Sequence, residues 1–146
     1  MPTNYAISAA IIDEQKKRIL LAKRSASTTY PLHWCTPGGM AEEGETQLEA
    51  LQRELWEEIK ATFKNFDDVG TCVYTHDIKS TRTGRIVTVV CYRVPSTSLD
   101  GPPECGDKTI ELRWFGVDEL ADLQITPADR SNIEALIRAI EGEKRI

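Results

Sequence analysis

Residues 39–58, GMAEEGETQLEALQRELWEE, contain the most regular pattern of apolar and acidic residues in this chain. Apolar residues recur in and just after this stretch one helical turn apart, at Leu48, Leu51, Leu55 and Ile59. Thr46 and Glu49 have the T-x-x-E spacing of a capping box, in which each residue satisfies a backbone N–H of the other. We therefore predict a helix over residues 46–59 with one apolar face. The preceding Pro37-Gly38-Gly39 predicts a tight backbone path that exposes carbonyls and amides.

Three carboxylates, Glu54, Glu57 and Glu58, project together beside the apolar stripe, within an arc of about 100°. One interpretation is a solvated acidic face, because its repulsion costs only about 1–3 kcal/mol. The other is a cation site, because hard cations favour grouped carboxylates, and a backbone carbonyl of the glycine segment could join them. Arg53 has the spacing to pair with Glu49 one turn back, which is its simplest structural role.

The rest of the chain alternates between strand and turn patterns. A hairpin is predicted over residues 5–11 and 19–21, followed by a loop over 25–39 with a short strand near 34–36. Further strands are predicted over 69–74, 86–94 and 112–117, with a basic turn over 79–84 and a loop over 96–108. A final helix is predicted over 127–141, with Ile133, Leu136, Ile137 and Ile140 on one face.

Composition narrows the class of protein. A chain of 146 residues fits one compact domain and needs no disulfide or structural metal to fold. Its net charge of −5 argues against a general nucleic-acid or anionic membrane surface. Four cysteines with no C-x-x-C pair and only two histidines leave few ligands for zinc. The absence of a signal peptide and of a long apolar run favours a cytoplasmic protein. The sequence does not determine the oligomeric state, and a homodimer is one possibility.

Residues 39–58 resemble a known signature, the Nudix box. The matching residues, in the spacing of the box, are Gly39, Glu45, Arg53, Glu54, Leu55, Glu57 and Glu58. Flanking features extend the resemblance over nearly the whole chain: the apolar hairpin, Trp34, Pro37-Gly38-Gly39 and Trp114-Phe115. Lys60 departs from the pattern, because a glycine usually ends this helix in a left-handed conformation. A lysine there costs about 1 kcal/mol, or the helix ends differently.

The resemblance implies an α/β fold, an α/β/α sandwich around a mixed central sheet, formed by one Nudix hydrolase domain over residues 1–146. It implies that Glu54, Glu57, Glu58 and the Gly39 carbonyl bind Mg²⁺ or Mn²⁺, with Glu45 and Arg53 in support. The catalytic set is then Arg53, Glu54, Glu57 and Glu58.

The general base stays open at this point. It is Glu57 or Glu58 acting through a metal-bound water, or Glu111 as a base or a further metal ligand. Glu111 could also simply alternate on a strand. Glu104 and Asp107 are other acids nearby, while Lys108 occupies a position that is commonly acidic in relatives.

Substrate residues are expected outside the box. The distance from Arg24 to Pro37 matches the MutT-like branch, so Arg24 is a candidate for the substrate phosphates, or a solvated arginine at a strand end. Asp129 is a candidate for the base, or forms a helix cap with Thr126. An aromatic residue, among Tyr30, Trp34 and Tyr74, could stack on the base or pack in the core. Lys79, Arg82 and Arg85 could be only a solvated hairpin tip.

The predicted activity is hydrolysis of a (deoxy)nucleoside triphosphate to the monophosphate and pyrophosphate. A second enzyme hypothesis is hydrolysis of a nucleoside diphosphate linked to a sugar or another group. A third hypothesis, of a different class, is a Nudix-like regulator that binds a nucleotide without turnover.

Overall fold

The computed structural model describes residues 5–65, 67, 69, 72–80 and 83–144, without the side chains of residues 72, 73, 143 and 144. The strands are β1 (Tyr5–Asp13), β2 (Arg18–Arg24), β3 (Trp34–Cys35), β4 (Gly38–Met40), β5 (Cys72–Lys79), β6 (Ile86–Pro95) and β7 (Thr109–Gly116). The α-helices are α1 (Gln47–Ile59) and α2 (Pro127–Lys144), and short 3₁₀ turns cover Ser96–Ser98 and Val117–Asp122.

The strands form one mixed sheet. Its main path runs β3-β2-β1-β6-β5, with β4 added beside β1 and β7 beside β2. β1 and β6 are parallel, whereas the other described pairs are antiparallel. The predicted mixed sheet is therefore confirmed.

The sheet divides at β1, and this division creates space for a site. β1 pairs with β2 only near its end, at Ile12↔Ile19 and Asp13↔Arg18. Its first half pairs with β4 instead, from Ala6↔Met40 to Ser8↔Gly38. The far end of β2, which carries Arg24, thus separates from β1 and faces an opening bordered by β4.

The two helices cover opposite faces of the sheet, which gives the expected sandwich. Leu51, Leu55 and Ile59 of α1 pack with Ile7 and Leu20 in one core cluster. The second cluster lies on the other face, around Ile133 and Leu136 of α2, with Ile12, Ile19, Leu21 and Phe115. Leu55 is 0% exposed, and burying such a side chain contributes about 1.5–3 kcal/mol.

Both ends of α1 are capped. The Thr46 hydroxyl accepts the Glu49 N–H (3.2 Å), and the Glu49 carboxylate accepts the Thr46 N–H (2.9 Å), so the predicted capping box is confirmed. Lys60 ends the helix in the left-handed region, at φ 53°. The helix therefore ends as it would with glycine, although the residue is lysine.

Several predicted boundaries were wrong. Gly38–Met40 is a strand rather than a tight turn, because pairing with β1 overrides the poor strand propensity of glycine. β5 extends to Lys79, well past its predicted end, because pairing with β6 continues through the polar residues. β7 begins at Thr109, opposite Arg24. Arg82 lies outside the described residues. Within the described part of the chain, no helix has the length and apolar character to cross a membrane.

Candidate active site

Arg53 organises the carboxylates of α1. Its Nε and Nη2 donate to Glu45 (2.7 and 3.0 Å), and its Nη1 donates to Glu54 (2.9 Å) and Glu57 (3.2 Å). Its Nη2 also donates to the Met40 carbonyl at 3.0 Å. The predicted pairing of Arg53 with Glu49 was wrong, because Glu49 is used by the capping box. Arg53 instead holds the loop and the acidic face of the helix in one network.

Glu58 lies on the same helix but outside this network. Burial, followed by the nearby charge of Glu54, raises the pKa of Glu58 to about 8, although the Gly38 N–H donates to it. Burial also raises the pKa of Glu54, against the effect of Arg53, and the charge of Glu57 adds to the rise. The helix thus holds carboxylates that destabilise one another's charged forms and would be stabilised by a cation.

The two glycines of β4 are required for close approach rather than for a turn. A Cβ on Gly39 would lie 2.5 Å from Glu54 Oε2, and one on Gly38 would lie 2.1 Å from the Ile7 carbonyl oxygen. Side chains at these positions would therefore displace the Glu54 carboxylate or the neighbouring strand. Gly39 therefore lets the backbone of β4 lie directly against the Glu54 carboxylate.

The register of β4 against β1 decides which backbone oxygens of β4 point away from β1. Ala9 N–H donates to the Pro37 carbonyl and Ala41 N–H to the Tyr5 carbonyl. Because antiparallel ladder bonds alternate, the backbone groups of Gly39 face Ile7, which leaves those of Gly38 and Met40 pointing away from β1. The donation from Gly38 N–H to Glu58 agrees with this. The strand register therefore favours the Gly38 carbonyl, rather than the expected Gly39 carbonyl, as a ligand of a divalent cation.

The loop before β7 holds the end of α1, a contact that sequence reasoning missed. The N–H groups of Glu104, Gly106 and Asp107 donate to the carbonyls of Ile59 (2.7 Å), Glu58 (2.8 Å) and Glu57 (2.8 Å). A Cβ on Gly106 would lie 2.0 Å from the Glu57 carbonyl oxygen. The loop therefore satisfies orphan carbonyls of the helix and fixes the backbone that carries two candidate ligands. The sequence shows Gly106, but it gives no sign that Gly106 contacts the end of α1.

A cleft of about 310 Å³, the Glu58 cleft, lies beside these residues and is lined by Arg24, Cys35, Gly38, Gly39, Glu58 and Lys108 among others. Arg24 Nε donates to the Thr29 carbonyl (2.7 Å), which fixes the arginine at the rim. Burial, followed by the charges of Asp129 and Glu58, raises the pKa of the Cys35 thiol. Cys35 thus lines the cleft as a neutral thiol, and it is not a nucleophile or a thiolate ligand.

A second cleft of about 380 Å³, the Asp129 cleft, adjoins the first at Arg24 and Met40. Its lining includes Tyr30, Ile78, Lys79, Val87, Thr126 and Asp129. Asp129 accepts the hydroxyls of Thr36 and Thr126, and burial raises its pKa above the usual value. Thr36, which the sequence did not identify, thereby links Asp129 to the strand region beside Cys35.

Of the other predicted substrate residues, some line a cleft and others pack or form ion pairs elsewhere. Tyr30 lines the Asp129 cleft, whereas Trp34 is 8% exposed and packs edge-on against Phe115. Tyr74 stacks on His76 at 4.7 Å. Glu111 lies on β7 in an ion pair with Arg113 at 2.5 Å, and it is not among the described residues that line the Glu58 cleft. The structure therefore brings Arg24, Tyr30 and Asp129 to two adjoining clefts, one of which is lined by Glu58, whereas Glu111 is not among the described residues that line either cleft.

The acidic face fits a hard cation by its chemistry. As the described side chains stand, no three His, Cys, Asp or Glu residues are close enough together to hold a metal ion. The Arg53 guanidinium lies against Glu54 and Glu57, in contact with both carboxylates. The available donors are carboxylate oxygens and an outward backbone carbonyl, which suit Mg²⁺ or Mn²⁺ rather than zinc. The raised pKa values of Glu54 and Glu58 support the same fit, because a cation would favour the charged carboxylates.

Comparison with known proteins agrees with this architecture. The NUDIX domain family model matches residues 2–136. A Mycobacterium tuberculosis protein named "Putative 8-oxo-dGTP diphosphatase 2" is 35% identical over 127 residues, covering 85% of this chain and 82% of that protein. The CTP pyrophosphohydrolase of Escherichia coli K12 is 34% identical over 133 residues, covering 90% of each. The crystal structure of MutT NUDIX hydrolase from Burkholderia pseudomallei has a TM-score of 0.76 at 25% identity, covering 92% of this chain and 98% of that one.

The fold and the acidic helix thus define a MutT-like hydrolase that acts on phosphoric anhydride bonds. The chain belongs to the NUDIX domain family.

Proposed function

We propose that this protein is a Mg²⁺- or Mn²⁺-dependent pyrophosphohydrolase that converts a (deoxy)nucleoside triphosphate to the monophosphate and pyrophosphate. The observation that carries the proposal is the Arg53 network, which fixes Glu45, Glu54 and Glu57 next to the Gly38–Met40 strand. The names of the mycobacterial and E. coli relatives, which specify 8-oxo-dGTP and CTP, support a nucleoside triphosphate as the substrate.

Glu54, Glu57, Glu58 and the Gly38 carbonyl are the proposed ligands of the divalent cation. Such an ion, when bound, offsets the negative charge of the diphosphate and lowers the pKa of its water. The role of Arg53 is positional, because its guanidinium fixes the carboxylate orientations through hydrogen bonds to Glu54 and Glu57. Glu45 in turn fixes the guanidinium from the loop side.

Glu58 is the proposed general base. It lines the cleft and lies outside the Arg53 network, whereas Glu57 is held by Arg53. In the reaction, the oxygen of water forms a new bond to phosphorus as the α–β anhydride bond breaks. The proton of that water passes to a Glu58 oxygen, and the leaving phosphate oxygen departs with the bonding electrons. Burial raises the pKa of Glu58 to about 8 in the metal-free protein, and a bound cation would favour the ionised carboxylate, which is the form that accepts the proton.

The substrate is proposed to lie across both clefts, with its phosphates near Arg24 and its base in the Asp129 cleft. Arg24 lines both clefts, so one guanidinium is available to bridge from the base side to the phosphate side. Asp129 and Tyr30 lie on the base side, where the carboxylate can accept a hydrogen bond from an amino or imino group.

A panel of nucleotides with Mg²⁺ and Mn²⁺, with the products identified, tests the proposed reaction. We expect pyrophosphate and a nucleoside monophosphate as products. Release of a sugar phosphate from a nucleoside diphosphate sugar, without triphosphate cleavage, would support the alternative enzyme. Nucleotide binding with no turnover across the panel would instead support a regulator.

Two substitutions test the assigned carboxylates. Glu57→Gln and Glu58→Gln should remain folded and each lose about 10²–10⁴-fold in kcat. Glu134→Gln is the matched control, because Glu134 is an exposed helical glutamate on α2. It should keep full activity. Full activity in both α1 variants would overturn the proposed mechanism.

A further inference from the structure

Lys108 lies in the Glu58 cleft but has no part in the reaction proposed above. It lines the cleft together with Arg24, Gly39 and Glu58. The Lys108 side chain is exposed, and no described carboxylate lies within ion-pair distance of it. Its ammonium group is therefore available to an anion that enters the cleft.

The backbone of Lys108 is held from two sides. The adjacent Asp107 N–H donates to the Glu57 carbonyl at 2.8 Å, and the Lys108 carbonyl accepts the Ser25 N–H at 3.0 Å. Lys108 itself has a left-handed backbone, at φ 59°. These contacts join the candidate ligand helix to the segment just after Arg24. The position of the lysine backbone relative to Glu58 is consequently fixed by hydrogen bonds.

Arg24 provides a second cation at the same place. Thr109, the residue after Lys108, pairs with Arg24 across β2 and β7. Arg24 Nε donates to a backbone carbonyl, and no described carboxylate lies within ion-pair distance of its guanidinium. The cleft thus combines one acidic side chain, Glu58, with two cations, Arg24 and Lys108. A chain of phosphates suits this arrangement better than a neutral group does.

We propose that Lys108 binds the phosphate end of the substrate that leaves as pyrophosphate. The consequence is selection for a nucleoside triphosphate over a nucleoside diphosphate joined to a neutral sugar. This inference rests on the proposed function, because it concerns the same cleft. It goes beyond that function by naming the residue that distinguishes the two enzyme hypotheses. A hydrogen bond from an ammonium to a phosphate oxygen accounts for about 10- to 100-fold in affinity.

The test compares Lys108→Ala, Lys108→Glu and Lys108→Arg with the wild-type protein. The substrates are a nucleoside triphosphate, the diphosphate of the same nucleoside and its diphosphate-linked hexose. Lys108→Ala should raise KM for the triphosphate by about 10- to 100-fold and leave KM for the diphosphate hexose nearly unchanged. Lys108→Glu should be worse, and Lys108→Arg should recover most of the loss. Lys16→Ala is the matched control, because Lys16 is an exposed lysine in the β1–β2 turn.

Product inhibition gives a readout that a merely structural role would not change. The inhibition constant of pyrophosphate should rise in Lys108→Ala, whereas that of the nucleoside monophosphate should stay the same. Equal losses for every substrate, or no loss at all, would overturn the inference while the proposed function stands. If the wild-type protein cleaves no nucleotide, the proposed function fails. Calorimetric titration with pyrophosphate and Mg²⁺ then tests Lys108 by itself, and equal affinity in wild type and Lys108→Ala overturns the inference.

Discussion

The two ends of the combined cleft are built in different ways. The α1 end comes from one continuous stretch, in which Glu45, Arg53, Glu54 and Glu57 are joined by hydrogen bonds. The Asp129 end is assembled from distant segments, and its contact between Thr36 and Asp129 spans 93 positions of the sequence. The spacing of the candidate catalytic residues is therefore encoded locally, whereas the candidate substrate contacts depend on how the sheet brings separate segments together.

The largest expected effects separate two neighbouring glycines at the α1 end. Gly39→Ala should keep the fold, because its new Cβ would meet only the flexible end of Glu54, 2.5 Å away. It should lower kcat by about 100-fold, since a carboxylate moved by about 1 Å has that scale of effect. Gly38→Ala should instead destabilise the protein, because its Cβ would meet the Ile7 backbone at 2.1 Å.

Thermal unfolding and turnover, measured on both glycine variants, check this contrast. Forcing a methyl group into a packed site costs about 1–3 kcal/mol, so Gly38→Ala should lower Tm clearly and Gly39→Ala should not. Gly142→Ala on α2 is a control for an unhindered methyl group, because nothing lies within 4 Å of its added Cβ; it should raise Tm slightly, since alanine is favoured over glycine in a helix by about 0.5–1 kcal/mol. Normal turnover by Gly39→Ala would show that the position of the Glu54 carboxylate does not limit catalysis.

The same contrast explains how much could be predicted from the sequence. Helical spacing placed Glu54, Glu57 and Glu58 on one face, and the T-x-x-E pattern located the start of α1, because both signals are local. The role of Gly106 was not predictable, since its required contact is with a helix that lies far away in sequence. Strand β4 was missed because two glycines form a strand only through their pairing with β1.

A pH-dependent stability effect should distinguish Glu58 from exposed glutamates. Its folded-state pKa of about 8 lies above the unfolded value, so the protonated form is favoured by folding. Stability from this group is present below the unfolded pKa and is lost as pH rises through about 8. Between pH 5 and 9 the metal-free wild type should therefore lose about 4 kcal/mol relative to Glu58→Gln, because each of about three pH units below the folded-state pKa contributes about 1.4 kcal/mol.

Urea unfolding with a chelator, at several pH values, measures this difference. Glu134→Gln serves again as the control, and its unfolding curve should follow the wild type at every pH. Added Mg²⁺ should restore wild-type stability at high pH, because a cation favours the ionised carboxylate. Parallel pH profiles for wild type and Glu58→Gln would show that Glu58 is not strained by burial.

At the Asp129 end, a substitution should change selectivity more than turnover. Asp129→Asn replaces an acceptor with a group that also donates, so it should disfavour a base amino group and favour a carbonyl. We expect the ratio of kcat/KM for cytidine and uridine triphosphates to shift by about 10-fold toward uridine. An equal change in kcat/KM for both nucleotides would mean that Asp129 only supports Thr36 and Thr126. Thr126→Ser, which keeps a hydroxyl for Asp129, should leave the ratio unchanged.

The smallest expected effect concerns Lys60, the departure from the Nudix pattern at the α1 end. Its φ of 53° carries a left-handed penalty of about 1 kcal/mol that glycine avoids. The Lys60 ammonium lies 5.8 Å from the centroid of the exposed Trp56 ring, a contact that offsets about 0.5–1 kcal/mol. Lys60→Gly should therefore stabilise the protein by less than about 0.5 kcal/mol.

A second background tests this explanation. In Trp56→Ala, where the Lys60 ammonium has no aromatic ring to contact, Lys60→Gly should stabilise the protein by about 1 kcal/mol, or about 2–4 °C in Tm. Equal gains in the two backgrounds would rule out the ring contact as the reason that lysine is tolerated here. In either case kcat should stay the same, because the loop at Glu104–Asp107, and not the cap residue, fixes the carbonyls of Glu57 and Glu58.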